Sequence, residues 1–267
     1  MRNFKSFFIS LAITVLALPV LSCAEVVAVD LAENGKLLSE IPTQTLYWRA
    51  PTPRAVLVLI PGGDGHIGIR PDTVDLRHPF YLALKTLTNP DLTTGSFDVV
   101  IFDSPKPLSP GQRYPSDRGS SDHIKRIESV VSNYRERTGL PIFIMGHSNG
   151  GISLMEFIRY LQKNKKTQLI SGMIVSSARN EASFSAPIDF PVLFIDHKSN
   201  ACPVAQRAVY DTYEKVKKIS STNVEQSLIT SGESQNSNPC HSGYHMYFNA
   251  DHELAKSLEQ FMIRNMK

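Results

Sequence analysis

The sequence predicts an α/β fold in which a mostly parallel sheet carries helices on both faces, and three observations predict it. Continuous apolar runs such as Ala55–Ile60 and Ile142–Met145 suit strands covered on both sides. Stretches with helical apolar spacing alternate with those runs along the chain, the pattern that builds crossover units. Gly146-His147-Ser148-Asn149-Gly150-Gly151 lies between an apolar strand and a helical pattern, marking a sharp turn with a serine at its apex.

The elements follow in order. Val26–Val29 reads as an edge strand and Thr45–Trp48 as an early antiparallel strand. Ala55–Ile60 is a buried strand that runs into Pro61-Gly62-Gly63-Asp64-Gly65-His66. Pro79–Leu87 has helical spacing, and Asp98–Asp103 is the next buried strand, with Asp103 stabilising the turn that follows. The prolines between Ser104 and Ser116 make that stretch an irregular loop. Ser121–Arg137 is helical with Ile124, Ile127, Val130 and Val131 inward, and His123 is a capping or packing residue. After the serine turn come a helix, a strand at Ile170–Val175, and a connection of about fifteen residues, too short to build a large lid. Pro191–Asp196 is a strand, Val204–Val216 a helix, Val224–Ile229 the last strand and Glu253–Ile263 a terminal helix. No repeat or linker divides the chain, so residues 25–267 form one domain.

Composition narrows the function. With 42% hydrophobic and 20% charged residues the chain has core enough for an ordinary globular protein. A formal charge of +3 carries no basic face, and Lys163-Asn164-Lys165-Lys166 suits the dipole at a helix end, so nucleic acid is not an expected partner. Arg2 and Lys5 before the apolar run Phe7–Leu18 form a signal peptide spanning residues 1–24, too short to act as a transmembrane anchor. Ser22-Cys23-Ala24 fits ordinary cleavage after Ala24, and Val20-Leu21-Ser22-Cys23 also fits lipidation at Cys23. Both readings place the chain outside the cytoplasm, in a periplasmic, secreted or lipid-anchored form. Cys202 and Cys240 then remain, and an oxidising compartment joins them as a disulfide. Neither has metal-ligand spacing, and no cofactor motif is present.

Gly146-x-Ser148-x-Gly150 after a strand and before a helix resembles the nucleophile elbow of the α/β-hydrolases. The resemblance implies that Ser148 is a nucleophile. It also implies that the amide of Asn149, with that of Gly63 or Asp64, holds an oxyanion. Chain order in that family is serine, acid, histidine, which points to His245 as base, with His241 in reserve and His252 on the solvent side of the last helix. Where similar hydrolases read Pro-Val-Leu-x-Ile-His-Gly-x-x-Asp, this chain reads Pro191-Val192-Leu193-Phe194-Ile195-Asp196-His197-Lys198-Ser199-Asn200. Asn200 therefore takes the acid's place and orients His245 through an amide; Asp196 is the alternative acid and Glu181 a minor one. A Cys after the acid loop and a Pro-Cys before a Tyr-His resemble a group of exported bacterial α/β-hydrolases of unassigned substrate, from the Pro61 loop to the last helix. With Cys202 two residues beyond Asn200 and Cys240 five residues before His245, a bond between them is expected to tie the acid loop to the base loop. The expected function is an exported serine hydrolase of carboxylesterase type acting on a small acyl substrate. The alternative is a ligand-binding protein that kept the fold without an efficient acid.

Overall fold

Val56, Val58 and Ile60 face one side of a central sheet and Ala55, Leu57 and Leu59 the other, all six without solvent exposure. Such double coverage explains the unbroken apolar run in their strand. The computed structural model describes residues 24–266 apart from 34, 95–96, 109–116, 235–237 and 242. The expected signal peptide, except Ala24, and most of the proline-rich loop therefore lie outside the described residues.

The strands are β1 (Ala24–Val29), β2 (Ala32–Glu33), β3 (Lys36–Leu37), β4 (Thr43–Trp48), β5 (Ala55–Ile60), β6 (Phe97–Asp103), β7 (Ile142–His147), β8 (Gly172–Ser176), β9 (Val192–His197) and β10 (Val224–Ile229). Eight of them form one sheet in the order β1-β4-β6-β5-β7-β8-β9-β10, and β2 with β3 make a small hairpin. β1 pairs antiparallel with β4, and β4 with β6; every other pair in the sheet is parallel. The helices are α1 (Pro79–Lys85), α2 (Ser121–Thr138), α3 (Gly150–Lys163), α4 (Tyr213–Ile219) and α5 (Asp251–Asn265). α2, α3 and α4 cover one face with Ile127, Phe157 and Val216, while α1 and α5 cover the other with Phe80, Leu258 and Phe261.

Local signals end the helices as expected. Ser120 Oγ caps α2 by accepting from the His123 amide, and Gly139 closes that helix in the left-handed conformation. Two expectations need correction. Val204–Val216 is not one helix: residues up to Arg207 form turns, Ala208–Thr212 is a π-helical turn, and α4 begins only at Tyr213. There the Arg207 amide is drawn off to Asn180 Oδ1 at 2.9 Å. Asp103 serves a different segment from the one following it, since its carboxylate accepts from the amides of Ile67, Gly68 and Ile69 at 2.6–3.0 Å. It thus anchors the end of the loop after β5. Among the described residues, no helix is long and apolar enough to cross a membrane.

Candidate active site

β7 ends at His147, and Ser148 follows with φ of 52°, a left-handed conformation that costs a residue with a Cβ appreciable strain. The glycines around it explain how the turn closes. A Cβ on Gly146 would lie 2.6 Å from the carbonyl oxygen of Gly150, and one on Gly150 only 2.1 Å from that of Ile60. Gly151 meets Ala178 equally closely, at 2.4 Å from its Cβ. The Ser148 amide donates to Ser176 O at 3.0 Å, locking the turn to the neighbouring strand β8. Asn149 starts α3, so its N–H lies at the positive end of the helix.

Across from the serine runs the loop after β5. Gly62 packs against Ser148 so closely that a Cβ there would sit 2.9 Å from the serine Cβ. Two donors grip the loop from behind. Asn149 Nδ2 donates to Gly63 O at 2.7 Å, and the fully buried Arg118 donates to Gly63 O at 3.0 Å. Arg118 also reaches Gly62 O and Pro61 O at 3.4 Å, and donates to Ser153 Oγ of α3 at 2.9 Å. Because a peptide's C=O and N–H point in opposite directions, carbonyls turned toward Arg118 turn the N–H groups of Gly63 and Asp64 away from it. Those two amides and that of Asn149 donate no hydrogen bond among the described residues. They remain available as donors for an anionic oxygen.

His245 sits in a 3-10 turn between β10 and α5, with its side chain almost entirely buried. Burial, with a smaller contribution from His241, pulls it down to about 4. Its Nδ1 lies 3.2 Å from Nδ2 of Asn200, and its Nε2 has no partner among the described residues. Its ring is 5.2 Å from that of His147, the residue before the serine. No hydrogen bond joins Ser148 to His245 among the described residues, and the lining of the cleft over Ser148 includes His147, His241 and Met246. Asp196 does not touch the histidine. It accepts from Ser177 Oγ at 2.6 Å, the His197 amide at 2.8 Å and Asn200 Nδ2 at 2.8 Å, while burial pushes it up to about 6. Glu181 is exposed and forms a two-pronged ion pair with Arg179, which accounts for its charge. His252 is exposed on α5, and His241 lines the cleft rather than meeting Asn200.

Cys202 and Cys240 form a disulfide. It joins the Asn200 loop to the segment ahead of His245, and the Cys202 amide donates to Asn200 Oδ1 at 3.0 Å. The cleft over Ser148 measures about 750 Å³ and is open, floored by Phe80, Tyr81, His147 and Met246. Two parts of this site escape sequence reasoning. Arg118 carries no local signal, because its partners are backbone carbonyls 55 to 57 residues away and the Ser153 hydroxyl 35 residues away. His147 is inside the motif but reads only as its variable position; folded, it packs on Phe80 at 4.2 Å and bonds Ser176 Oγ at 3.1 Å. Among the described residues no group of histidines, cysteines and carboxylates is arranged to hold a metal ion.

The strand order, the turn at Ser148 and the helices on both faces are those of the α/β-hydrolase fold, with no lid among the described residues. Solved structures agree. A lid-less α/β serine hydrolase from Xanthomonas campestris superposes with a TM-score of 0.54 at 14% identity, over 93% of this chain and 97% of the other. A dienelactone hydrolase from Anabaena variabilis gives 0.54 at 10% identity, over 91% and 99%. An acylaminoacyl peptidase from Pyrococcus horikoshii gives 0.56 at 13%, over 93% of this chain and 42% of that longer one. At these identities the likeness concerns the fold. No sequence-family model matches the chain, and no curated protein matches it in sequence.

Proposed function

We propose that the protein is an exported serine hydrolase of carboxylesterase type, with Ser148 as nucleophile and His245 as base. The observation that carries this reading is Ser148 itself. It is held at φ 52° opposite a loop whose amides at Gly63 and Asp64, with that of Asn149, have no other partner. Ser148 Oγ attacks an acyl carbonyl, the amides take the developing oxyanion, and His245 Nε2 receives the serine proton and later returns it to the leaving group. Hydrolysis of the acyl-enzyme by water repeats the steps in reverse. Asn200 stands where an acid would, so it orients the imidazole without supplying charge. The cleft, open among the described residues, suits small acyl groups with easy access. The disulfide, which persists in oxidising compartments, supports export, as does the leader read from the sequence.

Hydrolysis of p-nitrophenyl esters of increasing chain length tests the reading, beside Ser148→Ala and His245→Ala. Turnover lost in both variants while their folds persist is the expected result. A second reading, a ligand-binding protein of the same fold, draws on the unpartnered Nε2 of His245 and on the amide facing its Nδ1. Ligand-induced thermal stabilisation without turnover would favour it.

A further inference from the structure

The side-chain amide of Asn200 is pinned on two sides. Its Oδ1 accepts from the backbone N–H of Cys202 at 3.0 Å, and its Nδ2 donates to Asp196 Oδ1 at 2.8 Å. A backbone N–H can only donate and an ionised carboxylate can only accept, so neither bond survives exchange of the amide's two ends. The atom left facing His245 Nδ1 is therefore Nδ2, a donor, at 3.2 Å. A neutral imidazole that accepts at Nδ1 carries its proton on Nε2. That tautomer cannot take a proton from serine, since a base needs a lone pair on Nε2.

We propose that Asp196 and Asn200 together hold His245 in the Nε2–H tautomer, so that hydrolysis proceeds only through the minor population in which the Asn200 amide has rotated. Asp196 is then a positioning residue that acts through Asn200, and in the sense opposite to a triad acid. After a half-turn of the amide its oxygen accepts from Nδ1–H, and Nε2 is freed. The imidazole gives its Nε2 proton to solvent and takes one at Nδ1, so the net proton count is unchanged. The two pinning bonds, one to a carboxylate, favour the resting orientation by roughly thirtyfold or more.

The neighbourhood reinforces the hold. Ser177 Oγ and the His197 amide both donate to Asp196 Oδ1, keeping that oxygen an acceptor. Tyr247, whose hydroxyl bonds Ser177 Oγ and donates to Ile195 O, stays protonated beside Asp196 because burial opposes its charge. The His147 ring lies 5.2 Å from that of His245, and neither His147 nor His241 hydrogen-bonds its Nδ1 among the described residues.

The consequence for turnover rests on the hydrolase reading, but the tautomer does not. Protein labelled with ¹⁵N-histidine and read by long-range proton–nitrogen correlation at about pH 7.5, roughly one unit above the ordinary histidine value, reports each ring's tautomer directly. His245 is expected as Nε2–H in the wild type and as Nδ1–H in Asn200→Asp, whose carboxylate must accept. Asp196→Ala, which removes one pin, is expected to raise the Nδ1–H fraction above the wild-type value. Ester turnover is expected to rise roughly thirtyfold or more in Asn200→Asp. A wild-type His245 found as Nδ1–H, or a tautomer unmoved in both variants, overturns the proposal while leaving the hydrolase reading intact. The expected tautomers with no turnover in either wild type or Asn200→Asp overturn the hydrolase reading instead.

Discussion

The guanidinium of Arg118, fully buried, donates to the carbonyl of Gly63 at 3.0 Å and so turns the next amide, that of Asp64, toward the cleft. One side chain on the far side of the loop therefore fixes the direction of groups that would receive an oxyanion. Arg118→Met removes the grip while keeping much of the volume. We expect kcat for ester hydrolysis to fall about 100-fold, as for loss of one oxyanion donor, with KM nearly unchanged. Steady-state kinetics check this; a rise in KM at constant kcat would mean that Arg118 shapes only binding.

Gly150 faces backbone, which cannot step aside. A Cβ there would lie 2.1 Å from Ile60 O and 2.8 Å from Pro61 O. Gly150→Ala is expected to destabilise the fold by about 3 kcal/mol or more, measured by urea denaturation. Gly63→Ala meets no atom within 4 Å, but its φ of +57° makes the substitution a loop strain of about 1 kcal/mol.

Much of this fold is legible in the sequence because its strands are buried on both faces. Ala55–Ile60 and Ile142–Met145 read as central strands by their unbroken apolar runs, and Gly146, Ser148 and Gly150 mark their turn because a strand precedes and a helical pattern follows that spacing. The pairing of Cys202 with Cys240 followed from counting cysteines. What stays hidden depends on contacts between distant residues. Nothing near Arg118 says that it is buried, and nothing near Asp103 says that it serves Ile67–Ile69. The orientation of the Asn200 amide is settled by Cys202 and Asp196, whose side chains and backbone meet it only once the loop has turned.

Reduction of the disulfide should be felt at the site as well as in stability. Cys202 bonds to Cys240, which lines the cleft, and the Cys202 amide holds Asn200. Cys202→Ser with Cys240→Ser is expected to cost about 2–4 kcal/mol in urea unfolding. It should also change the rate of ester hydrolysis at temperatures well below the melting point. An unchanged rate there would mean that the bond serves stability alone.

Acid should weaken the fold, and the sign follows from its buried groups. Burial lowers His123 to about 3 and His245 to about 4, and holds His147 well below its usual value. Each contributes stability that is complete above about pH 6.5 and is lost as pH falls, at roughly 1.4 kcal/mol per unit. Asp196, raised to about 6 by burial, acts the other way, since its ionisation penalty is relieved as pH falls through that value. Burial also lowers His78 and His197 and raises Asp98 and Asp103, so five histidines outweigh three carboxyls between pH 6.5 and about 5. Urea midpoints should therefore drop from pH 7.5 to about 5, and the drop should be smaller in His123→Gln; a constant or rising midpoint would contradict this.

The central claim is that Ser148 is a nucleophile, and a fluorophosphonate probe tests it most directly. Mature protein with its Cys202–Cys240 bond intact is treated with the probe, digested, and the adduct located by mass spectrometry, beside Ser148→Ala and His245→Ala. One adduct is expected, on Ser148, absent from the first variant, formed much more slowly in the second and faster in Asn200→Asp. Folded wild type and Asn200→Asp that both remain unlabelled would contradict it.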